Sequence, residues 1–189
     1  MKHDDELLVW QENGNRVLLT TPVFKVLETN SISFNGQEGH YDIINPEHDW
    51  VIVVPVLDSN FLMVKQWRHA RNAISIEFPG GVMDDGETPE QSAARELQEE
   101  TGFTAQKLIQ LGTLSPNPAL MTNNVHFFVA EHLQKTSQQH LDSDEYIHYM
   151  EIPQTEVIAK LGTEEYSHAL MAAAITLFIR HINSNGKHF

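Results

Sequence analysis

The sequence predicts an α/β fold, a mixed sheet between helices, preceded by a small antiparallel β unit at the N-terminus. Two apolar runs at 50–57 and 61–67, separated by the turn residues Asp58-Ser59-Asn60, read as a hairpin of core strands. The hydrophobic period then changes after Phe78-Pro79-Gly80-Gly81, and strand-like and helix-like segments share the rest of the chain.

Taken in order, residues 16–45 are rich in alternating and β-branched side chains, as in Val23-Phe24-Lys25-Val26-Leu27 and Ser31-Ile32-Ser33-Phe34. Asn35-Gly36 and Asn45-Pro46 interrupt them as turns, which makes a short antiparallel unit. A helix over 89–101 follows from Thr88 as N-cap, Pro89 at the first helical position, Gln91 closing a capping box and Gly102 as the stop. Residues 107–112, 125–130 and 146–152 read as further strands. Residues 153–161 and 167–182 read as helices ending near Gly162 and Gly186. The boundary falls at Asn45-Pro46, giving an N-terminal β unit over 1–45 and a main α/β domain over 46–189.

At 189 residues the chain is long enough for one well-buried domain with a small extension, but not for two independent cores. The formal net charge of -14 argues against a nonspecific grip on DNA or RNA, which needs a surplus of Lys and Arg. An acidic protein that handles an anionic substrate must focus positive charge locally or recruit metal cations. With no cysteine there is no disulfide framework, thiolate zinc site or cysteine nucleophile, so carboxylate or His chemistry must carry any catalysis. The opening Met1-Lys2-His3-Asp4-Asp5-Glu6 lacks the apolar core of a secretory signal, and no apolar stretch is long enough to span a bilayer. The expectation is a cytoplasmic protein without membrane or DNA partners. The scattered His residues show no metal-binding pair and receive no role, and neither Ser115 nor Ser167 sits in a nucleophile-elbow pattern.

The informative segment is 81–103. On a helix Glu96 and Glu100 are four apart and Glu99 is three from Glu96, so three carboxylates share one stripe. Their mutual repulsion is about a few tenths of a kcal/mol per pair on a solvated face and grows in a cleft, where bound cations would remove it. Oxygen donors suit Mg²⁺ or Mn²⁺, and Mg²⁺ is usually held by one or two carboxylates with water and substrate phosphate oxygens. Arg95, four before Glu99, can pair with that carboxylate and hold its orientation. Gly80-Gly81 lets the backbone approach a ligand and leaves a main-chain carbonyl available. Alone, a Glu-rich stripe is ordinarily a solvated face and Gly-Gly ordinarily a loop. Their joint spacing is different: Gly81, five residues, Glu87, seven residues, Arg95-Glu96-Leu97, one residue, Glu99-Glu100, one residue, Gly102-Phe103.

This spacing matches the Nudix box at each of its nine specified positions over twenty-three residues, and by it the chain resembles the Nudix hydrolases. The resemblance implies a Nudix α/β/α sandwich with a mixed sheet and hydrolysis of a nucleoside diphosphate linked to another moiety, with Mg²⁺ or Mn²⁺. It makes Glu96 and Glu100 the main metal ligands, Glu99 a further one with a catalytic share, Gly80 a carbonyl ligand and Arg95 a supporting residue.

Outside the box the chain resembles the ADP-ribose and ADP-sugar pyrophosphatases, through Val64-Lys65-Gln66-Trp67-Arg68 and Ser115-Pro116-Asn117-Pro118-Ala119. That branch implies phosphate contact by Arg68, an acid near the site at Glu77, and a catalytic glutamate in the loop Leu141-Asp142-Ser143-Asp144-Glu145, for which Glu145 is the choice and Asp144 and Asp142 the fallbacks. It further implies a homodimer in which the N-terminal β unit reaches the partner, with Phe24 stacking on adenine; Trp67 can serve as packing or as contact. Ala119, where the branch often has Gly, and Asn123-Asn124, where it often ends Asn-Glu, depart from the pattern. The expected reaction gives AMP and a sugar phosphate. Competing readings are a Nudix hydrolase of GDP-mannose, a dinucleoside polyphosphate or capped RNA, and a sensor that binds a nucleotide sugar without cutting it; the intact acids at 96, 99 and 100 argue against the sensor.

Overall fold

The computed structural model describes residues 5–143 and 145–186. The chain divides into two compact units, Met1–His48 with Ser115–Asn124, and Asp49–Leu114 with Val125–Phe189.

The first unit is a three-stranded antiparallel sheet in the order β1 (Trp10–Thr20), β2 (Lys25–Ser33), β3 (Glu38–Asn45). The register runs from Trp10 opposite Ser33 to Thr20 opposite Lys25, and from Lys25 opposite Asn45 to Ile32 opposite Glu38. Asn35-Gly36 makes the β2–β3 turn as expected, with Gly36 at a positive φ of 84° and its N–H on the Ser33 carbonyl. β1 begins six positions earlier than the sequence reading placed the unit, because a bulge between Glu12 and Asn15, with Gly14 at φ 131°, carries the ladder through the polar Glu-Asn-Gly-Asn stretch. The 115–124 segment joins this unit by hydrogen bonds from the Ile44 N–H to the Leu120 carbonyl and from the Thr122 hydroxyl to the Asn45 side chain.

The second unit has a six-stranded mixed sheet built from β4 (Trp50–Leu57), β5 (Asn60–Arg68), β6 (Ala73–Glu77), β7 (Phe103–Leu114), β8 (Val125–Lys135) and β9 (His148–Pro153), with helices α1 (Pro89–Thr101), α2 (Gln154–Lys160) and α3 (Ala169–Ser184). β4 pairs parallel with β8, from Trp50 opposite Val125 to Pro55 opposite Ala130, and every other pairing is antiparallel. The strand period of two explains why β4 reads as a continuous apolar run. Ile52 and Val54 enter a core with Phe61, Met63, Phe127, Ile175 and Phe178 on the α3 side, while Val51 and Val53 pack with Ala93, Leu97 and Phe128 on the α1 side. This is the layered α/β arrangement the sequence predicts, with an antiparallel sheet before it.

Element ends move where pairing overrides local pattern. β7 spans twelve residues instead of 107–112 because Phe103 still finds Lys135 across the ladder. β6, which the sequence reading did not name, is a five-residue Ala-Ile-Ser-Ile-Glu segment held by β5, with Val64 opposite Glu77. α1 keeps its expected bounds. Thr88 accepts from the Gln91 N–H, the Gln91 side chain accepts from the Thr88 N–H, and Gly102 closes the helix at φ 74°. No helix among the described residues is long and apolar enough to cross a membrane.

The segment after β6 is pinned to the edge of β4 that β5, paired only at Val56 and Leu57, leaves open: the Val53 N–H donates to the Pro79 carbonyl and the Val51 N–H to the Gly81 carbonyl, each at 2.9 Å. Pro55, the next residue on that edge, has no N–H, and the bonding to 79–81 stops before it.

Candidate active site

Gly80 allows a close approach to backbone that any side chain would block, and Gly81 leaves room for the Glu96 carboxylate. A Cβ on Gly80 would lie 2.2 Å from the Val51 carbonyl oxygen, and one on Gly81 would lie 2.4 Å from Glu96 Oε1. α1 therefore docks its carboxylate stripe directly on this segment. The Gly80 N–H donates to Glu100 Oε2 at 2.9 Å, and among the described residues no donor occupies the Gly80 carbonyl.

Burial sets the electrostatics. Glu100 is 3% exposed, and burial pushes its carboxyl well above the ordinary range; the Gly80 N–H pulls the other way, and Glu96 and Glu145 push further up. Burial likewise raises Glu96 to about 7, against the pull of Arg95 and with the added repulsion of Glu99 and Glu145.

Arg95 is a hub for this charge. Its Nε and Nη2 donate to the two oxygens of Glu87, each at 2.9 Å, while Nη1 donates to Glu96 Oε1 at 2.8 Å and Glu99 Oε2 at 3.0 Å. Nη2 also reaches the Val82 carbonyl at 3.1 Å, tying α1 to the loop before it. The sequence suggests the Arg95–Glu99 pair; the bidentate grip on Glu87 depends on the loop's tertiary path.

A second ion-paired group lies at the ends of β5 and β6. Arg68 Nε and Nη2 donate to Glu77 Oε1 and Oε2 at 3.0 and 2.5 Å, and His168 Nδ1 lies 3.1 Å from the same Oε2. Glu77 is buried, in contrast to the surface position ordinary for a strand-end Glu. Burial opposes its ionisation, yet hydrogen bonds from His168 and Arg68 outweigh it and hold the carboxyl far below the usual range. The Arg68 side chain remains 43% exposed, and Glu100 and Glu145 lie within its electrostatic reach.

The loop before β9 brings Glu145 into this field: its charge acts on Arg68, Glu96 and Glu100. Glu145 and Asp142 close a turn, with the Glu145 N–H on the Asp142 carbonyl and the Asp142 N–H on Glu145 Oε2. Asp144 lies outside the described residues. The loop is tied to the end of α1: the Gln139 amide donates to the carbonyls of Glu100 and Ile147, and the His140 N–H to that of Glu99.

Phe24 belongs to the N-terminal unit, half-buried in the β1–β2 turn, where its N–H donates to the Thr21 hydroxyl and its carbonyl accepts from Thr21. Trp67 is 44% exposed on β5.

The donors suit a hard divalent cation: carboxylate oxygens of Glu96, Glu99 and Glu100 and the Gly80 carbonyl, with burial making ionisation of Glu96 and Glu100 costly in the absence of a cation. Among the described residues no three acidic or imidazole side chains converge closely enough to hold an ion by themselves, and Arg95 occupies one oxygen each of Glu96 and Glu99.

Against known families, the NUDIX domain profile matches residues 46–172, more than half of the chain. The chain is a Nudix hydrolase. It is 32% identical over 142 residues to the ADP-ribose pyrophosphatase of Bacillus subtilis (strain 168), a match that covers 75% of this chain and 77% of the relative. It is 25% identical to the ADP compounds hydrolase NudE of Escherichia coli (strain K12), covering 81% and 82%. A crystal structure of an ADP compounds hydrolase shares the fold, with TM-score 0.84 at 22% identity over 94% of this chain and 96% of that one.

In this Nudix hydrolase Glu87, Glu96 and Glu99 of the box meet on Arg95 and Glu100 meets Gly80, with Arg68, Glu77 and Glu145 in the same electrostatic field. Two contributors escaped the sequence. His168 is one of eleven scattered His, and Gln139 lies in a polar loop; each meets its partner only through the tertiary fold.

Proposed function

We propose that this Nudix hydrolase cleaves the pyrophosphate bond of an ADP-sugar, with ADP-ribose the first candidate, to give AMP and a sugar phosphate in a reaction dependent on Mg²⁺ or Mn²⁺. The observation that carries the reading is the docking of Glu100 and Glu96 on the Gly80-Gly81 segment, a dense set of buried oxygen donors. The names of its relatives, an ADP-ribose pyrophosphatase and an ADP compounds hydrolase, support the substrate class.

Glu96, Glu100, Glu99 and the Gly80 carbonyl would hold the ion. When bound, it neutralises charge on the phosphate oxygens and lowers the pKa of coordinated water. The remaining work falls to the chain. Arg95 fixes the carboxylates of Glu96 and Glu99 in place. Arg68 keeps N–H donors beyond those used on Glu77 and binds a phosphate oxygen. Glu77 orients that guanidinium rather than the substrate. Glu145 orients the attacking water and takes its proton.

The proposed assembly is a homodimer formed through the N-terminal sheet. Val17, Leu18 and Leu19 on its edge strand are 55%, 46% and 53% exposed, which suits a second copy of the chain better than water. Phe24, in the same unit, is the proposed adenine-stacking residue.

The test is product analysis with ADP-ribose, ADP-glucose, GDP-mannose and a dinucleoside polyphosphate, with Mg²⁺ and with chelator. AMP plus sugar phosphate from an ADP-sugar only in the presence of metal is the expected result. Cleavage of a different substrate alone would overturn the substrate, and no turnover at all would overturn the enzymatic reading.

A further inference from the structure

The end of β6 and the start of α3 meet at a contact that the reaction described above does not use. Glu77 Oε1 accepts from Arg68 Nε, while Glu77 Oε2 is shared between Arg68 Nη2 at 2.5 Å and His168 Nδ1 at 3.1 Å. The terminal torsion of a glutamate is soft, so the plane of its carboxylate is not fixed by its own backbone. A fork-to-fork Arg–carboxylate pair is coplanar, so whatever sets the carboxylate plane also sets the guanidinium plane. Arg68 cannot set it alone, because its side chain is 43% exposed and reaches Glu77 from a flexible stem.

His168 is the other donor; its side chain is 34% exposed, but its stem is short and its backbone is anchored. It directly precedes α3, whose Met171 is 1% exposed and accepts the Phe78 N–H at its sulfur at 3.0 Å. The first turn of α3 is thereby bound to the two residues 77 and 78 at once. The His168 side chain makes no capping hydrogen bond to its own helix, so the imidazole is not occupied there.

We propose that His168 is a positioning residue for substrate binding: by clamping the buried Glu77 carboxylate it fixes the plane in which Arg68 presents its free N–H donors to a substrate phosphate. The inference rests on the reading of Arg68 as a phosphate-binding residue. It concerns binding and not the chemical step, since neither His168 nor Glu77 touches the reacting atoms, so its loss raises KM and leaves kcat nearly unchanged.

The experiment is steady-state kinetics on the ADP-sugar that the wild type cleaves, with thermal melts alongside. His168→Ala is expected to raise KM roughly tenfold, the scale of one hydrogen bond to a charged group, with kcat within about twofold. His168→Asn, whose amide N–H stands near the place of Nδ1, should restore KM, and His168→Gln, whose amide reaches further out, should not. In an Arg68→Ala background His168→Ala should add nothing, because its effect passes through Arg68. A raised KM in Arg68→Ala with an unchanged KM in His168→Ala overturns the inference while leaving the Arg68 reading intact, as does full additivity of the two. An unchanged KM in Arg68→Ala overturns the phosphate-binding reading itself, and this inference with it. Should His168→Ala fail to fold, the Asn and Gln variants decide, and equal KM values for those two overturn the proposal.

Discussion

Raising the pH of the metal-free protein from about 5 to about 8.5 should destabilise it through Glu96, whose side chain is 13% exposed and whose carboxyl titrates at about 7 in the fold against 4.5 for an ordinary glutamate. The folded pKa is raised, so the fold binds the proton more tightly than the unfolded chain does. Stability from this group is complete below about pH 4.5 and is lost progressively until the pH passes about 7. The displacement corresponds to about 3 kcal/mol, and for a chain of this size to a fall in Tm of roughly 10 °C. Glu100 shifts in the same direction and adds to it. Glu77, Glu87 and Glu165 are held low, stay ionised in both states across this window, and do not offset it. The assay is differential scanning calorimetry in chelator on wild type and Glu96→Gln, since the difference between the two isolates this carboxyl from every other titrating group. Glu96→Gln should melt close to wild type at about pH 5 and several degrees above it at about pH 8.5, while losing turnover. Parallel Tm–pH curves for the two proteins would refute the reasoning.

Adding Mg²⁺ at about pH 8.5 should raise the Tm of wild type and leave that of Glu96→Gln nearly unmoved, which calorimetry at graded Mg²⁺ would read. Gly81→Ala places a methyl group 2.4 Å from Glu96 Oε1, at the end of a side chain that can yield; the protein should fold, with turnover down about 10²-fold from the misplaced carboxylate, measurable as kcat at saturating Mg²⁺. Arg95→Ala leaves Glu87, Glu96 and Glu99 without their shared cation and should lower stability by about 2–3 kcal/mol, below the fully buried case because the side chain is 23% exposed. Denaturant midpoints at neutral pH would show it. Glu145→Gln should reduce kcat by about 10²–10⁴ with little change in KM, and a comparable loss in Asp142→Asn but not in Glu145→Gln would move the role along the loop.

The sequence by itself determined the features that are local in the chain. The helix 89–101 follows from Thr88, Pro89, Gln91 and Gly102, because capping chemistry acts within a single turn. The acidic stripe follows from helical spacing, and the box named the family because its positions are fixed relative to one another within one loop and one helix. What acts across the chain was decided by the tertiary structure. The strand at 73–77 exists because β5 offers it a ladder, and the extra length of β7 exists because β8 does. Glu77, which the branch resemblance makes an acid near the site, is buried in the fold, and only packing places Arg68 and His168 around its oxygens to offset its desolvation. The raised carboxyls of Glu96 and Glu100 have the same origin: sequence spacing makes the charges neighbours, but burial against Gly80 and Gly81, with Glu145 brought in from a distant loop, makes them resist ionisation.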